Sequence, residues 1–342
     1  MVSRVSCESR LLAHGSGRWS LEYHMRKQGK SFCCLILLVM LLLSGPSIVA
    51  GSINSRAGTS AFSFLKINIG ARPVAMGGAF TGLADDENAL YYNPAGIALL
   101  DRHGVIFGYH NYFLDLQSGL VGYVHQFNET RYLAGHIYYL NYGDFIEANN
   151  LGDSLGVFGG SDIAVAATFA MRRSEDLYIG VTAKLIYEKI QVYSASGIAF
   201  DFGLRYQSSR GRYMAGMMLQ NVGAQLSNFT DVAKDGLPTT LRFGAAARPR
   251  GLPILFSGDL ILPTDNNVEI AIGGEYYEFK PLYLRLGWNG FGSNSRATDS
   301  DDKWAGVSVG FGIDWRNLQL SYAYAPGAEL GESHRITLTG GL

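Results

Sequence analysis

From about Gly104 onward the chain alternates between apolar and other residues with a period of two. In the stretch PLYLRLGWNG, for example, Leu282, Leu284 and Leu286 fall on one face, whereas Tyr283 and Arg285 fall on the other. Such alternation is typical of a β-strand whose two faces meet different surroundings, because successive side chains point to opposite sides. No segment of helical periodicity interrupts the tract, so the sequence predicts an all-β fold for this part of the chain.

The alternating segments have the length and number of a membrane barrel. We identify about fourteen of them, each roughly ten residues long, which is the length with which a tilted strand crosses a bilayer. Short polar turns are predicted at residues 128–130, 208–211, 248–251 and 265–267, and longer loops at 142–161, 227–236 and 293–302. In bacterial outer-membrane barrels short turns gather at one end and longer loops at the other. An open edge would leave unpaired backbone groups in lipid, so the last strand, Ser333–Leu342, must pair with the first, about Gly104–Leu114.

A soluble β-sandwich also alternates and is the main structural alternative. Charged residues make up only 17% of the chain, too few for the whole solvated surface of a soluble protein of this length. Aromatic residues also gather near segment ends, as in the interfacial girdle of a barrel. We therefore expect a transmembrane antiparallel β-barrel. A charge on the lipid face near mid-bilayer costs about 2–4 kcal/mol, so charged residues of the strands should face the lumen. They are Asp201, Arg205, Arg242, Asp259, Glu269, Glu275, Arg285 and Asp314.

The N-terminus has the order of a secretory signal peptide. The basic residues Arg26, Lys27 and Lys30 precede the apolar run Phe32–Leu43, and small residues follow at 48–51. The apolar run is too short for a spanning helix, which needs about 20 residues. We expect residues 25–50 to be a signal peptide and residues 1–24 to result from an upstream misread start codon. All three cysteines lie in this region, so the mature chain would have no thiol or disulfide.

Residues 51–102, here called the hatch, do not alternate and are rich in glycine and alanine. Asp85 or Asp86 is placed to cap a short helix, and Asn93 and Pro94 have the order of an N-cap and the first position of a second one. The segment is too small to hold a core of its own, so we expect a compact, partly helical element inside the barrel formed by residues 103–342. The candidate gating residues are Asp85, Asp86, Tyr91, Tyr92, Asn93, Pro94, Ala95 and Gly96.

A family resemblance is carried by the run IGARPVAMGGAFTGLADDENALYYNPAGIA, and further by GLPTTLRFGAAARP, WAGVSVGFGIDWRNLQLSYAYAP and the terminal SHRITLTGGL. These segments resemble the PorV/PorQ family of bacterial outer-membrane proteins, a branch of the FadL-like long-chain fatty-acid transporter group. The resemblance implies a 14-stranded barrel with an N-terminal hatch folded into the lumen. It also implies that Asn93, Pro94 and Ala95 are hatch residues.

Several chemical functions are disfavoured by the sequence. The stretch Gly306–Gly310 has the GxSxG spelling of an acyl-hydrolase nucleophile elbow, but it lies inside continuous alternation, whereas an elbow needs a strand, a turn and a helix. The acids 85–87 could offer oxygens to Ca²⁺, yet a helix N-terminus explains them better. The histidines show no metal-binding spacing. The net charge of −1 and the lack of a basic stripe argue against nucleic-acid binding. We expect the chain to have no enzymatic activity, no metal site and no cofactor.

Three functions remain open for a protein of the bacterial outer membrane, where lipid is one partner. The barrel could be an adaptor or shuttle in protein secretion of the type IX kind, binding secretion components or secreted proteins. It could transport a hydrophobic small molecule past the hatch, as the transporter relatives imply. It could also be a structural barrel without cargo. The charged, glycine-rich lumen favours the adaptor.

Overall fold

The computed structural model describes residues 54–112, 116–229, 234–290, 306–326 and 331–341. These residues form a closed barrel of fourteen antiparallel strands, in which each strand pairs with its neighbours in sequence. The hatch precedes the first strand. The predicted all-β barrel with an N-terminal hatch is thereby confirmed. The predicted signal peptide and misread start lie outside the described residues.

The strands are numbered in their order along the described residues. They are β1 Gly104–Asn111, β2 Gln117–Gln126, β3 Arg131–Ala148, β4 Ser154–Arg172, β5 Leu177–Ile190, β6 Tyr193–Gln207, β7 Tyr213–Ser227, β8 Thr240–Ala247, β9 Ile254–Pro263, β10 Glu269–Tyr276, β11 Leu282–Asn289, β12 Val307–Trp315, β13 Leu318–Pro326 and β14 Glu332–Gly341. As predicted, β1 closes against β14, with Gly104 opposite Gly341 and Asn111 opposite His334.

The two ends of the barrel differ in their connections. β1 starts and β14 finishes at the end that carries the turns after β2, β4, β6, β8, β10 and β12, here called the short-turn end. The opposite, long-loop end carries the 228–239 and 290–306 connections. The predicted turn at 265–267 joins β9 to β10 and therefore lies at the long-loop end, although it is short. The length of a connection alone therefore does not indicate at which end of the barrel it lies. Residues 293–302 lie outside the described residues.

The predicted long loop 142–161 is wrong, because most of it is strand. β3 and β4 run past the neighbouring strands and stay paired, with Phe145 opposite Phe158 and Ile146 opposite Val157. The glycine-rich composition suggested a loop, but the apolar residues of the two arms match across the hairpin. Register shifts between Asn141 and Asp144 mark the point where this hairpin leaves the barrel.

The hatch contains four short helical elements. They are the 3₁₀ helix η1 Ser63–Lys66, the α-helices α1 Ala71–Ala75 and α2 Ala89–Tyr92, and the 3₁₀ helix η2 Pro94–Leu99. In the part of the chain that the structure describes, no helix is long and apolar enough to cross a membrane. η2 packs against β3–β6 and α1 against β11–β14, so the hatch extends between opposite walls.

The faces of the barrel are inverted relative to a soluble protein. Outward residues such as Phe107, Leu133 and Phe243 are 41–49% exposed, whereas inward Arg205 and Asp201 are 0% exposed. Half of the residues in the main apolar core belong to the hatch and half to the barrel, so the core lies where the hatch packs on the inner wall. An apolar exterior around a polar, filled interior is the arrangement that a lipid surrounding requires.

Candidate functional site: the contact between hatch and wall

Asn93 joins two parts of the hatch to the wall. As predicted, it is the N-cap of η2, with its side-chain oxygen accepting from Ala95 N and Pro94 in the first turn. Its Nδ2 donates to Thr81 O at 2.9 Å and to Leu204 O of β6 at 3.1 Å. The residue is fully buried. One amide therefore fixes the start of η2, the preceding hatch segment and a wall strand together.

Glycines on the inner wall allow main chain to contact main chain. A Cβ added at Gly180 would lie 2.4 Å from Pro94 C, and one at Gly203 would lie 2.3 Å from Asn93 Oδ1. These two glycines are paired across β5 and β6. Because real Cβ atoms do not approach so closely, the wall at this level admits η2 only where side chains are missing.

The same arrangement recurs around the barrel. Gly216 and Gly244, paired across β7 and β8, meet the hatch main chain at residues 81–82. Gly273 and Gly287, paired across β10 and β11, meet it at residues 76–77. We call Gly180, Gly203, Gly216, Gly244, Gly273, Gly287 and Gly310 of β12 the glycine belt. The belt places seven strands against the hatch: five of its glycines lie against hatch main chain, and Gly203 and Gly310 lie against hatch side chains.

An ion-pair cluster fixes the hatch near the short-turn end. Arg72 of α1 contacts Asp85 at 2.6 Å, Asp86 at 2.8 Å and the wall residue Glu275 at 2.9 Å. Arg285 contacts the same Glu275 at 2.7 Å. Asp85 also pairs with a second wall arginine, Arg248, at 2.8 Å. A carboxylate and a guanidinium buried together stabilise the assembly only while both are present, so the cluster resists separation of hatch and wall.

Both acids of this cluster are ion-pair partners, and of the two predicted capping candidates Asp86 is the one that contacts the start of α2. Asp86 accepts from Asn88 N, one residue before α2, and so does help to start that helix. Asp85 makes no such bond among the described contacts and is held between two arginines. The sequence showed the acids but not that Arg72, thirteen positions earlier, would lie beside them.

Burial and neighbouring charges shift the pKa values of several hatch side chains. Burial alone would lower the pKa of Arg72, but Asp85 and Glu275 reverse this and raise it above its ordinary value. Burial would raise the pKa of Asp85, but Arg72 and Arg248 outweigh it and lower that pKa. Burial raises the pKa of Glu87 to about 7, and the charge of Asp86 adds to the shift. Burial also raises the pKa of both Tyr91 and Tyr92.

The two tyrosines brace the hatch internally. The single hydroxyl proton of Tyr91 is shared between two acceptors, Leu65 O at 2.7 Å and Ile67 O at 2.8 Å. Tyr92 donates to Ile69 O at 3.0 Å. Both rings are buried. They therefore connect α2 to η1 and to the chain segment between η1 and α1.

Wall charges are also used to hold the hatch main chain. Arg205 donates to Leu83 O at 2.7 Å, and Arg242 donates to Gly78 O at 3.2 Å. Asp259 accepts from the amides of Phe80 and Thr81, the latter at 2.9 Å. All three wall side chains are nearly fully buried. Hydrogen bonds to charged groups contribute more than neutral ones, so these contacts add firm attachment points.

The remaining charges predicted to face the lumen lie on inner surfaces as well. Asp201 is buried and pairs with Lys184 of β5 at 2.7 Å, in the wall itself. Glu269 and Asp314 are half-buried and line cavities at opposite ends of the barrel. Of the eight, four contact hatch groups directly, namely Arg205, Arg242, Asp259 and Glu275.

Two cavities flank the hatch and share no lining residue. The one at the short-turn end has a volume of about 520 Å³ and is lined by charged residues including Arg72, Asp85 and Asp314. The one at the long-loop end has a volume of about 350 Å³ and is bordered by Tyr91, Arg242 and Glu269. The hatch thus separates a charged vestibule from a smaller, mixed cavity.

Some anchoring residues could not be read from the sequence. Ser308, the serine of the GVSVG spelling, accepts from Gly77 N at 3.2 Å and lies within β12, where no helix follows. Thr337 of β14 accepts from Ala71 N at 2.9 Å. Lys66 of η1 pairs with Asp265 of the β9–β10 turn at 2.7 Å. Within the described ranges, no group of histidine, cysteine or acidic residues is arranged to hold a metal ion.

A closed barrel with an apolar exterior and a hatch that fills its interior has the architecture of an outer-membrane β-barrel. The fold is that of the P. putida toluene transporter TodX, with a TM-score of 0.58 at 13% identity over 80% of this chain and 98% of TodX. The CymD monoaromatic hydrocarbon channel gives a TM-score of 0.56 at 12% identity, over 80% of this chain and 96% of that one. At such identities the likeness establishes the fold alone.

The chain belongs to the family of the type IX secretion system protein PorV, whose model matches residues 51–267. It is also similar to a UPF0164 protein of Treponema pallidum (strain Nichols), with 26% identity over 219 residues. That match covers 58% of this chain and 51% of the relative, so the chain spans about half the length of the curated relative it matches. Family and fold are those of a secretion or transport barrel rather than of an enzyme.

Proposed function

We propose that this chain is an adaptor in protein secretion across the bacterial outer membrane, and that its hatch is a fixed seal. The observation that carries the proposal is the contact between hatch and wall. Hatch main chain lies directly on the glycine belt, and four buried charged side chains of the wall bind hatch groups, namely Arg205, Arg242, Asp259 and Glu275. A barrel built to admit cargo through its lumen would keep such groups free for the cargo.

The energetics of opening support a fixed seal. Withdrawing Arg72 would leave Glu275 and Arg285 without part of their buried network, and breaking a buried ion pair typically costs about 3–5 kcal/mol. Withdrawal would also break the amide contacts of Asp259 and the carbonyl contacts of Arg205. Several independent attachments must therefore fail together before the lumen opens.

Under this proposal residues 1–50 are removed on export and the long-loop end faces the cell exterior, where partner proteins bind. The short-turn end, where β1 begins and β14 ends, faces the periplasm, as is usual for such barrels. Membership in the PorV family supports an association with secretion components.

A disulfide across the hatch–wall contact tests the proposal. Ala71→Cys with Thr337→Cys places thiols at two positions now linked by a hydrogen bond, in a chain whose own cysteines all precede residue 51. Bond formation is measured by mobility on a non-reducing gel, with each single variant as control. We expect the oxidised barrel, purified from native outer membrane, to retain its secretion partners and to support export. Loss of export on oxidation, with recovery under reductant, would show that the hatch must move.

A second candidate, transport of a hydrophobic small molecule, is favoured by the cavity at the long-loop end. Its border includes Leu65, Ile261 and Pro263, and its volume of about 350 Å³ suits a ligand of one or two rings. Solvent extraction of the native barrel followed by mass spectrometry distinguishes the candidates. A stoichiometric apolar ligand without secretion partners supports transport, and neither ligand nor partner supports a structural barrel.

A further inference from the structure

The hairpin of β3 and β4 projects beyond its neighbours at the long-loop end. β2 begins at Gln117, which pairs with Asn141, so β2 does not reach residues 142–148. Those residues pair with β4 on their other side. Among the described residues no strand covers this edge of β3. We call residues 142–148 the β3 edge.

A strand edge of this kind has unused hydrogen-bonding groups. In an antiparallel pair, alternate residues direct their N–H and C=O groups away from the partner, so the β3 edge presents such groups outward beyond Gly143, whose N–H donates to Asn141 Oδ1. A two-stranded ribbon is at best marginally stable in water, and a third strand stabilises it. The edge extends about 20 Å beyond Asn141, at about 3.3 Å per residue, which is enough for an extended peptide.

Side chains on both faces of the ribbon supply apolar contact. Phe145 and Phe158 stack at 5.4 Å between ring centroids. On the other face Ile146 is 72% exposed and its cross-strand partner Val157 is 65% exposed. The polar residues Asn141 and Ser161 lie between this surface and the lipid-facing band below. The exposed apolar residues therefore face the aqueous side and not the membrane.

The charge of the ribbon selects its partner. Residues 142–160 contain Asp144, Glu147 and Asp153 and no lysine or arginine. Two of these acids lie on β3, whereas the β4 arm from Ser154 to Gly160 carries no charge. Two copies of the chain joined through this edge would bring like charges together, which is destabilising. Asp144 and Glu147 lie three positions apart and therefore on opposite faces of the ribbon. A strand of alternating apolar and basic residues would place its basic residues against one of these acids and its apolar residues against the other face.

We infer that the β3 edge binds an extended, cationic segment of an exported protein by strand addition. This inference rests on the proposed adaptor function and specifies its partner. Main-chain hydrogen bonds supply affinity in such recognition, and alternate side chains supply specificity. A register shift between Asn141 and Asp144 marks the point where the β3 edge begins.

The test uses the whole barrel in nanodiscs of zwitterionic lipid and a fluorescent peptide of about eight alternating Lys and Val residues. Binding is followed by anisotropy. Two control peptides replace Lys by Glu, or methylate the backbone nitrogens that would pair with the edge. We expect binding of the Lys–Val peptide alone. Equal binding of the methylated peptide would overturn strand addition, because that peptide keeps the charges but lacks the hydrogen bonds.

Variants of the barrel locate the site. Asp144→Lys with Glu147→Lys replaces the acid on each face of the ribbon, so the lysines of the peptide meet a positive charge whichever face they occupy, and we expect Kd to rise roughly tenfold or more. The matched control is Glu129→Lys with Glu175→Lys, two acids in turns at the short-turn end, and Kd should not change. Folding is verified by gel mobility before and after heating. Equal loss in both double variants, or in neither, contradicts the assignment.

The outcome separates this inference from the adaptor proposal. If the peptide binds at the β3 edge but the native barrel carries no secretion partner, the adaptor proposal fails and strand addition stands. If secretion partners co-purify equally with wild type and with the Asp144→Lys/Glu147→Lys variant, adaptor function stands and the β3 edge is not its site.

Discussion

Replacing Gly180 with alanine tests whether main-chain packing against the glycine belt holds the hatch closed. The new Cβ would lie 2.4 Å from Pro94 C and 2.5 Å from Ala95 N. Both are main-chain atoms that no rotamer change can move aside. Ordinary carbon contacts begin near 3.5 Å, so hatch and wall must separate by about 1 Å. Overpacking of this kind costs about 1–3 kcal/mol, equivalent to a rise of roughly 5- to 150-fold in the released fraction of the hatch.

Hydrogen exchange of the hatch amides measures this fraction directly. The barrel in nanodiscs is exchanged under native conditions, and peptides covering η2 are compared between wild type and Gly180→Ala. The matched control is Gly258→Ala, because a Cβ at Gly258 meets nothing closer than 3.7 Å. We expect faster exchange across η2 in Gly180→Ala and unchanged exchange in Gly258→Ala. Equal protection in both variants would refute the reasoning, since the wall would then have room that the contact distances deny.

Four further predictions follow from the same contacts. Glu275→Gln leaves two buried arginines without a shared carboxylate and should destabilise the hatch by about 3–5 kcal/mol, measured by exchange. Asn93→Ala removes the η2 cap and two donated hydrogen bonds and should cost about 1–3 kcal/mol in the same assay, whereas unchanged protection would mean that the amide is not an anchor. Burial raises the pKa of Glu87 from its ordinary value of 4.5 to about 7 in the folded hatch, so the folded state holds the proton more tightly. The stability of the hatch should therefore fall by at most about 3 kcal/mol as the pH rises between these two values, and Glu87→Gln should abolish this dependence on pH. The Leu284→Cys variant should react with a lipid-phase thiol probe and the Arg285→Cys variant should not. The reverse result would mean that Arg285 and not Leu284 is on the lipid side of β11.

The barrel was predictable because its signal is local. Period-two alternation shows strand by strand in the sequence, and closure of β1 on β14 follows from the need to pair every edge in lipid. The cap at Asn93 was also predictable, since an N-cap and a proline at the first position depend on adjacent residues.

The hatch–wall contacts were not predictable because they join distant positions. Nothing in the sequence places Arg72 beside Glu275, or Ser308 beside Gly77. The extended hairpin of β3 and β4 was not predictable from the sequence for a related reason. Its glycines suggested a loop, and only the cross-strand match of Ile146 with Val157 shows it to be a sheet.

The glycine belt also constrains the order in which the protein is assembled. The hatch is synthesised before every strand, and the seam joins the first strand to the last. Threading the hatch into a finished barrel would require its main chain to slide past wall atoms at separations that leave no clearance. The hatch must therefore be in place before the seam closes, and the wall is built around it. During biogenesis the hatch thus acts as a template for the barrel. Substitutions that disrupt the hatch should therefore slow the pairing of β1 with β14 during assembly, before they affect the function of the mature protein.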